Sequence, residues 1–327
     1  MILGPGNMVS TLHVQSVFLR LAMSVTVTHL TKIYGEQKAV DDISFEARPG
    51  EILGFLGPNG AGKSTTMKIL TCFIPQTEGK ASVYGFDTTT QSLEVRRHVG
   101  YLSEHNPLYT EMYVKEYLEF AARLSGMKNP SKRIQEMIGI TGLTVEMKKK
   151  IGQLSKGYRQ RVGLAQAMLH DPKVLIMDEP TSGLDPNQLA EVRNLIREVG
   201  KEKTVILSTH IMQEVTAICN RVIIINKGRL VADDTVESLQ TKQKGVTLIH
   251  LEFKEVANRS LFENIKGVIR VSSPGERKWL IEYAGDEDMR EKLFRLAVEN
   301  NLTLLNMNIE KQSLEDVFQQ LTGKDQK

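Results

Sequence analysis

Ile52-Leu53-Gly54-Phe55-Leu56-Gly57-Pro58-Asn59-Gly60-Ala61-Gly62-Lys63-Ser64-Thr65 joins a strand-length apolar run to a glycine-rich loop and then to a helical pattern. Gly57 to Ser64 fits G-x-x-x-x-G-K-[ST], and the flanking strand and helix are the context that gives this spacing meaning: a P-loop in an α/β domain. Glycines let the backbone curl so that successive N–H groups and the helix N-terminus aim at phosphate oxygens. Lys63 is placed to neutralise charge on the β- and γ-phosphates, and the Ser64 hydroxyl to ligate Mg²⁺. A P-loop alone leaves ATPase, GTPase and kinase open.

A second apolar run, Val174-Leu175-Ile176-Met177, ends in Asp178 and Glu179. A buried strand closing on a carboxylate places Asp178 to hold Mg²⁺. Glu179 follows at the carboxyl edge of the sheet, where open α/β sheets bind their ligands, so it is placed to orient and deprotonate an attacking water.

Outward from these two segments, β-branched runs alternate with helical patterns from Ser24 to about Leu230, which predicts an α/β domain with a largely parallel sheet. The strands read this way are Val25 to Leu30, Asp42 to Ala47, Ile52 to Leu56, Gly79 to Val83, Val99 to Leu102, Val174 to Met177, Thr204 to Ser208 and Val222 to Asn226. Between Thr110 and Gly142 the period turns helical, with Tyr117, Phe120, Ala121 and Leu124 read as one face, so a helical subdomain is expected over about 108–170. A polar stretch rich in Lys, Gln and Thr, Glu237 to Gly245, reads as a linker. Beyond it, strand, helix, two strands, helix and strand predict a small ferredoxin-like α+β domain over 246–327. Its last helix has Ser313 placed to cap, Asp316 three residues on, and Leu314, Val317, Phe318 and Leu321 at helical spacing.

The chain has 327 residues, 41% hydrophobic and 25% charged, with a formal net charge of +3, the profile of a globular protein of two domains. No apolar stretch is long enough to span a bilayer. Residues 1–22 show no clear period and are read as a disordered extension or a start codon assigned too far upstream. Cys72 and Cys219 fall in segments read as helical and suit a reducing compartment rather than a disulfide framework. Lys148 to Lys150 is a short run on a solvated face, and no basic patch with interleaved aromatics points to nucleic acid.

At this point the sequence resembles the ABC transporter ATPase family. Leu154-Ser155-Lys156-Gly157-Tyr158 stands before the second apolar run as that family's signature segment, Ser182-Gly183-Leu184-Asp185 as its D-loop, and His210 in Leu207-Ser208-Thr209-His210 as its switch histidine. The resemblance implies a cassette of 23–240 that binds ATP and Mg²⁺, with Gly57, Pro58, Asn59, Gly60, Ala61, Gly62, Lys63, Ser64 and Thr65 around the phosphates and Tyr34 stacked on adenine. It further implies a homodimer that sandwiches two ATP, each P-loop facing Ser155 and Gly157 of the other copy. A transmembrane permease would be the working partner, and the location would be cytoplasmic, peripheral on the inner face of the membrane through that permease.

Two departures stand out. Lys156 and Tyr158 replace the glycine and glutamine of the commonest signature, and Glu104 in Gly100-Tyr101-Leu102-Ser103-Glu104 replaces the Q-loop glutamine, keeping an oxygen ligand but adding charge and losing amide donors. Both variants resemble the branch that powers ABC-2 type exporters, as does the C-terminal segment Ser313 to Phe318. Closer still, Glu104 to Tyr109, Ser155 to Gly163, Asp185-Pro186-Asn187-Gln188-Leu189 and Ser208 to Gly228 resemble the gliding-motility-associated ATPases of Bacteroidetes-type bacteria. The competing class is a soluble ABC-type ATPase acting on ribosomes or DNA. One cassette and no long heptad insert favour the transporter engine, and Lys63 and Glu179, both in place, speak against a third class, a non-hydrolysing regulatory scaffold.

Overall fold

A computed structural model describes residues 23–243, 246–284, 288–309 and 314–323. The extension read at 1–22 and the cap at Ser313 lie outside the described residues, as does the side chain of Asp316. The chain divides into two compact units, Met1–Asp233 and Asp234–Lys327.

In the first unit, β1 (Val25–Tyr34) and β2 (Gln37–Ala47) pair antiparallel, β3 (Ile52–Leu56) runs into α1 (Lys63–Leu70), and β4 (Glu78–Val83) and β5 (Phe86–Asp87) return to β1. These outer strands form their own sheet, ordered β2-β1-β4-β5. The runs at Val25, Asp42 and Gly79 thus stand apart from the largely parallel sheet that the alternation predicts, which is the second sheet. Both leading strands are also longer than their alternation suggested. Register shifts interrupt β1 between Val27 and Leu30 and again up to Ile33, with His29 (φ 50°) and Asp42 (φ 53°) in left-handed backbone. Such bulges break the period-two pattern by which a strand is read.

The chain continues through α2 (Ser92–His98), β6 (Val99–Leu102), α3 (Val114–Leu124), α4 (Ser131–Ile140), α5 (Lys156–Met168), β7 (Val174–Asp178), α6 (Pro186–Gly200), β8 (Thr204–Thr209), α7 (Met212–Ile218), β9 (Arg221–Asn226) and β10 (Arg229–Thr235). A second sheet takes the order β10-β9-β3-β8-β7-β6, and β6, β7, β8, β3 and β9 pair parallel. Successive side chains of β7 leave opposite faces: Leu175 and Met177 join one core with α3 and α5, while Val174 and Ile176 join another with Phe45, Phe55 and Met67. Covered on both faces, β3, β7 and β8 are buried throughout. Each such Leu, Ile or Val contributes roughly 1.5–3 kcal/mol by leaving water, which makes this sheet the rigid floor of the site.

Two smaller expectations change. Helix α3 buries Val114, Tyr117, Leu118, Ala121 and Ala122, whereas Phe120 and Leu124 are 42% and 79% exposed. The true face therefore follows i, i+3, i+4, i+7, i+8, and Phe120 instead sets its ring edge against Tyr109. Neither cysteine lies within a helix. Cys72 follows α1 in left-handed backbone, and Cys219 caps the end of α7.

In the second unit, the stretch expected to be a linker is instead α8 (Val236–Thr241) and β11 (Lys242–Gln243). β12 (Val246–Phe253), α9 (Ser260–Glu263), β13 (Val268–Gly275), β14 (Lys278–Ala284), α10 (Arg290–Glu299), β15 (Leu304–Ile309) and α11 (Leu314–Thr322) follow. β12 lies between β14 and β15, and β13 pairs with the far edge of β14, all antiparallel. This is the ferredoxin-like order. Its core gathers Ile249, Leu251, Phe253, Phe262, Trp279, Ile281 and Leu293, and α8 packs on α11. The polar composition of α8 hid it, because six residues carry too little period to read.

Candidate functional site

The loop after β3 is held in shape by what its glycines permit. A Cβ on Gly57 would run into the Ile225 carbonyl of β9, and one on Gly62 would lie 2.5 Å from the Ala39 oxygen at φ 109°, a conformation glycine alone adopts freely. Gly57 and Ala61 turn into the protein while Pro58 stays exposed, and Gly57 and Pro58 offer their carbonyls to Lys63, whose Nζ donates to Gly57 O at 2.8 Å and Pro58 O at 3.2 Å. Asn59, Gly60, Gly62, Lys63, Ser64 and Thr65 face the other way into a cavity of about 410 Å³. Glu104, Glu179, His210, Ser182 and Ala39 complete its lining. The fold thus gathers loop, Q-loop position, strand-end carboxylate and histidine from four separated segments.

β7 delivers the two carboxylates. Asp178 is 2% exposed; its Oδ1 accepts from Ser64 Oγ at 3.0 Å and from Ser208 Oγ of β8. The Ser208 contact also reaches one residue on, since Glu179 N donates to Ser208 O at 3.1 Å and to its hydroxyl at 3.2 Å. Glu179 itself sits at φ 50°, a left-handed conformation that costs a non-glycine residue about 1–2 kcal/mol. Its side chain is thereby turned into the cavity between two cations or donors: Lys63 Nζ lies 3.5 Å from Oε1 and His210 Nδ1 lies 2.9 Å from Oε2. Burial pushes the Glu179 pKa above the usual carboxylate range, against the pull of Lys63 and His210, with Asp178 adding to the rise. A carboxylate of raised proton affinity, held but not fully neutralised, is what a general base requires.

The signature segment lies elsewhere. Ser155 caps α5, its Oγ accepting from Tyr158 N at 3.4 Å, and Asp185 caps α6, its Oδ1 accepting from Asn187 N at 3.1 Å and Gln188 N at 2.9 Å. Ser155, Gly157 and Asp185 do not line the cavity, and neither does Tyr34. Tyr34 ends β1, is 49% exposed as a residue, and has the Lys32 ammonium 5.2 Å from its ring centroid.

The reading from sequence missed several contributors. Gln188 lies over the signature segment, its Nε2 donating to Ser155 Oγ at 3.3 Å and its Oε1 where a Cβ on Gly157 would come within 2.5 Å. Tyr158, at the usual glutamine position, sits instead under the Arg161 guanidinium, 5.3 Å from its ring centroid, and Arg161 pairs with Glu191. Ser208 stood inside the quoted Leu207 to His210 segment without being assigned. Glu214, fully buried, accepts hydroxyl hydrogen bonds from Thr181 and Thr209; its only signal was its place in the turn after His210.

A glycine-rich cradle at a helix start, a strand-end carboxylate bonded to the cradle's serine, and a second carboxylate aimed into the same cavity define a P-loop nucleoside-triphosphatase. Comparison with known proteins makes this specific. The family described as ABC transporter matches residues 40–182, and one described as AAA domain, putative AbiEii toxin, Type IV TA system matches residues 150–216. The bacitracin transport ATP-binding protein of Bacillus licheniformis is 34% identical over 313 residues, covering 91% of this chain and 97% of that protein. The linearmycin resistance ATP-binding protein of Bacillus subtilis is 32% identical over 305 residues, covering 90% and 97%. A solved dimeric bacterial ABC transporter cassette is 25% identical with a TM-score of 0.60, covering 65% of this chain and 98% of its own. The chain belongs to the family of ABC transporter ATP-binding subunits, and it is an ATPase. Because the first unit ends at Asp233, an alignment over 91% of the chain has to run into the second unit as well.

Proposed function

We propose that two copies of this chain close around two Mg-ATP molecules and that their hydrolysis drives a separate membrane permease that exports its cargo. One observation carries this reading: the cavity brings together Lys63, Ser64, Glu104, Glu179 and His210 but leaves Ser155 and Gly157 outside, so the phosphate site is open where a second signature would close it. That a solved ABC transporter cassette of similar fold is dimeric supports the pairing of two copies.

In this reading Lys63 and the loop N–H groups hold the phosphates, and the exposed Tyr34 ring stacks on adenine. Ser64 Oγ and Asp178 Oδ1, 3.0 Å apart, are hard oxygen donors that fit Mg²⁺. Among the described residues no group of three or more His, Cys, Asp or Glu could hold a metal, so the remaining ligands would be phosphate oxygens and water. Bound there, Mg²⁺ would offset the phosphate charge. Glu179 takes a proton from water as the water oxygen bonds to the γ-phosphorus. The bond from that phosphorus to the β,γ-bridging oxygen breaks, leaving ADP and inorganic phosphate. His210 holds Glu179 in place and faces the γ-phosphate. Ser155 and Gly157 of the partner meet that phosphate from the other side, and the D-loop at Asp185 runs along the seam. Glu104, which lines the cavity, offers an oxygen that can ligate Mg²⁺ or water.

No described helix is long and apolar enough to cross a membrane, so transport needs a spanning partner, and the cassette would lie on the inner face of the membrane through it. Tagged chain extracted with native membranes should bring down a multi-span protein that raises its ATPase rate. Recovery on ribosomes or DNA instead would overturn the transporter reading. Two cargo readings separate by phenotype. The names of the two relatives favour antibiotic export, and the segments Glu104 to Tyr109 and Asp185 to Leu189 favour a gliding-associated system. Deleting the gene in its host should change antibiotic susceptibility in the first case and surface spreading in the second.

A further inference from the structure

Two loops meet in the cavity, one leaving β7 through Glu179 and one leaving β8 through His210. Beneath them lies Glu214, in the first turn of α7, with no exposed surface. Its two oxygens are divided between the loops. Oε1 accepts from the Thr181 hydroxyl, two residues after Glu179, and Oε2 accepts from the Thr209 hydroxyl at 2.7 Å, one residue before His210. Thr181 and Thr209 are 2% and 0% exposed. Thr209 Oγ1 also accepts from Ile211 N at 3.0 Å, so it ties the backbone on both sides of His210.

We infer that Glu214 is a positioning residue for hydrolysis: its carboxylate clamps the Thr181 and Thr209 hydroxyls and so sets the distance between His210 and the carboxylate of Glu179. The physical argument is geometric and electrostatic. A fully buried carboxylate is costly unless its oxygens find donors, and here each oxygen takes one donor from a different loop, so neither loop can move without stripping a buried acceptor. Glu179 is in left-handed backbone and His210 stands 47% exposed at the side chain; neither is held by packing alone. A carboxylate accepts from both hydroxyls at once. An amide would present a donor to one of them, forcing that hydroxyl to turn and leaving its hydrogen without an acceptor. Glu214 is fully buried and does not line the cavity, so its effect runs through the Glu179–His210 pair.

The inference rests on Glu179 being the base, and the experiment separates the two. Steady-state kcat and KM for Mg-ATP, together with direct Mg-ATP binding, would be measured on the full chain for Glu214→Gln, Thr209→Val, Thr209→Ser and Glu179→Gln. Misplacement of a reacting group by a fraction of an ångström to 1 Å lowers rates by up to about a hundredfold. Glu214→Gln should therefore lower kcat roughly tenfold to a hundredfold while the binding constant stays within about twofold of wild type. Thr209→Val should lower kcat in the same direction, and Thr209→Ser, which keeps the hydroxyl, should restore it. A purely structural role would lower the amount of folded protein and not split kcat from binding, and it would not be rescued by serine. Should Glu214→Gln fail to fold, the valine and serine variants decide alone. Equal kcat for those two, or wild-type kcat in Glu214→Gln, overturns the clamp. If Glu179→Gln retains wild-type turnover, the base assignment itself fails, whatever the Glu214 variants do.

Discussion

The two halves of the proposed nucleotide site are built to different standards within one chain. On the phosphate-loop side, Lys63, Asp178 and Glu179 are 5%, 2% and 7% exposed, and each is held by at least two named partners from other elements. On the signature side, Ser155 and Lys156 face solvent, and the serine hydroxyl has only Tyr158 N at 3.4 Å and the Gln188 amide at 3.3 Å. One half is preorganised and the other is presented. In the proposed dimer, this difference would let the chain keep a finished phosphate cradle yet withhold turnover until a second surface arrives.

The largest test of that contrast falls on the finished half. Lys63→Ala removes the cation that satisfies two loop carbonyls and faces Glu179, and truncating one partner of a buried charged pair costs roughly 2–5 kcal/mol. Mg-ATP binding, read by equilibrium dialysis, should be lost along with hydrolysis; near-normal affinity would mean the loop is not the phosphate site. Next comes Glu179→Gln, which keeps shape and binding but removes the proton acceptor. General-base help is worth about 10² to 10⁴ in rate, so phosphate release should fall by that factor with affinity retained, and turnover near wild type would hand the role to another group.

The presented half should respond differently. Ser155→Ala removes a hydroxyl that in this account meets the partner's γ-phosphate, an interaction worth about 1.5–3 kcal/mol for a charged acceptor. Turnover should drop about tenfold or more, while Mg-ATP binding at dilutions that favour monomer stays unchanged. Equal losses in binding and turnover would show Ser155 acting within its own chain. The smallest effect is expected from the second unit: ending the chain after Thr235 keeps β10 whole and should leave Mg-ATP binding within about twofold, since each unit has its own core. An insoluble or unfolded product, seen by circular dichroism, would show that the two cores depend on each other.

Legibility divided along the same line. Where candidate residues are contiguous, as in Gly57 to Ser64 or Asp178 and Glu179, spacing alone picked out side chains that the fold brings together around one cavity, and the apolar runs of β3 and β7 located the sheet beneath it. Ser208, Glu214 and Gln188 were not legible because the fold, and not the chain, makes them neighbours: they lie 30, 33 and 33 residues from Asp178, Thr181 and Ser155. The bulges at His29 and Asp42 were invisible for another reason, since left-handed backbone at an ordinary residue leaves no mark on hydrophobic period. Helix α8 was misread as linker because its surface residues are polar and its buried apolar content is nearly confined to Val236.

The central claim is that the site is completed between two copies, and sedimentation velocity of Glu179→Gln with and without Mg-ATP tests it most directly. With hydrolysis blocked and a negative charge beside the triphosphate removed, Mg-ATP should convert monomer to dimer, and adding Ser155→Ala to the same chain should weaken that conversion. A protein that binds Mg-ATP and remains monomeric across micromolar concentrations would contradict the account.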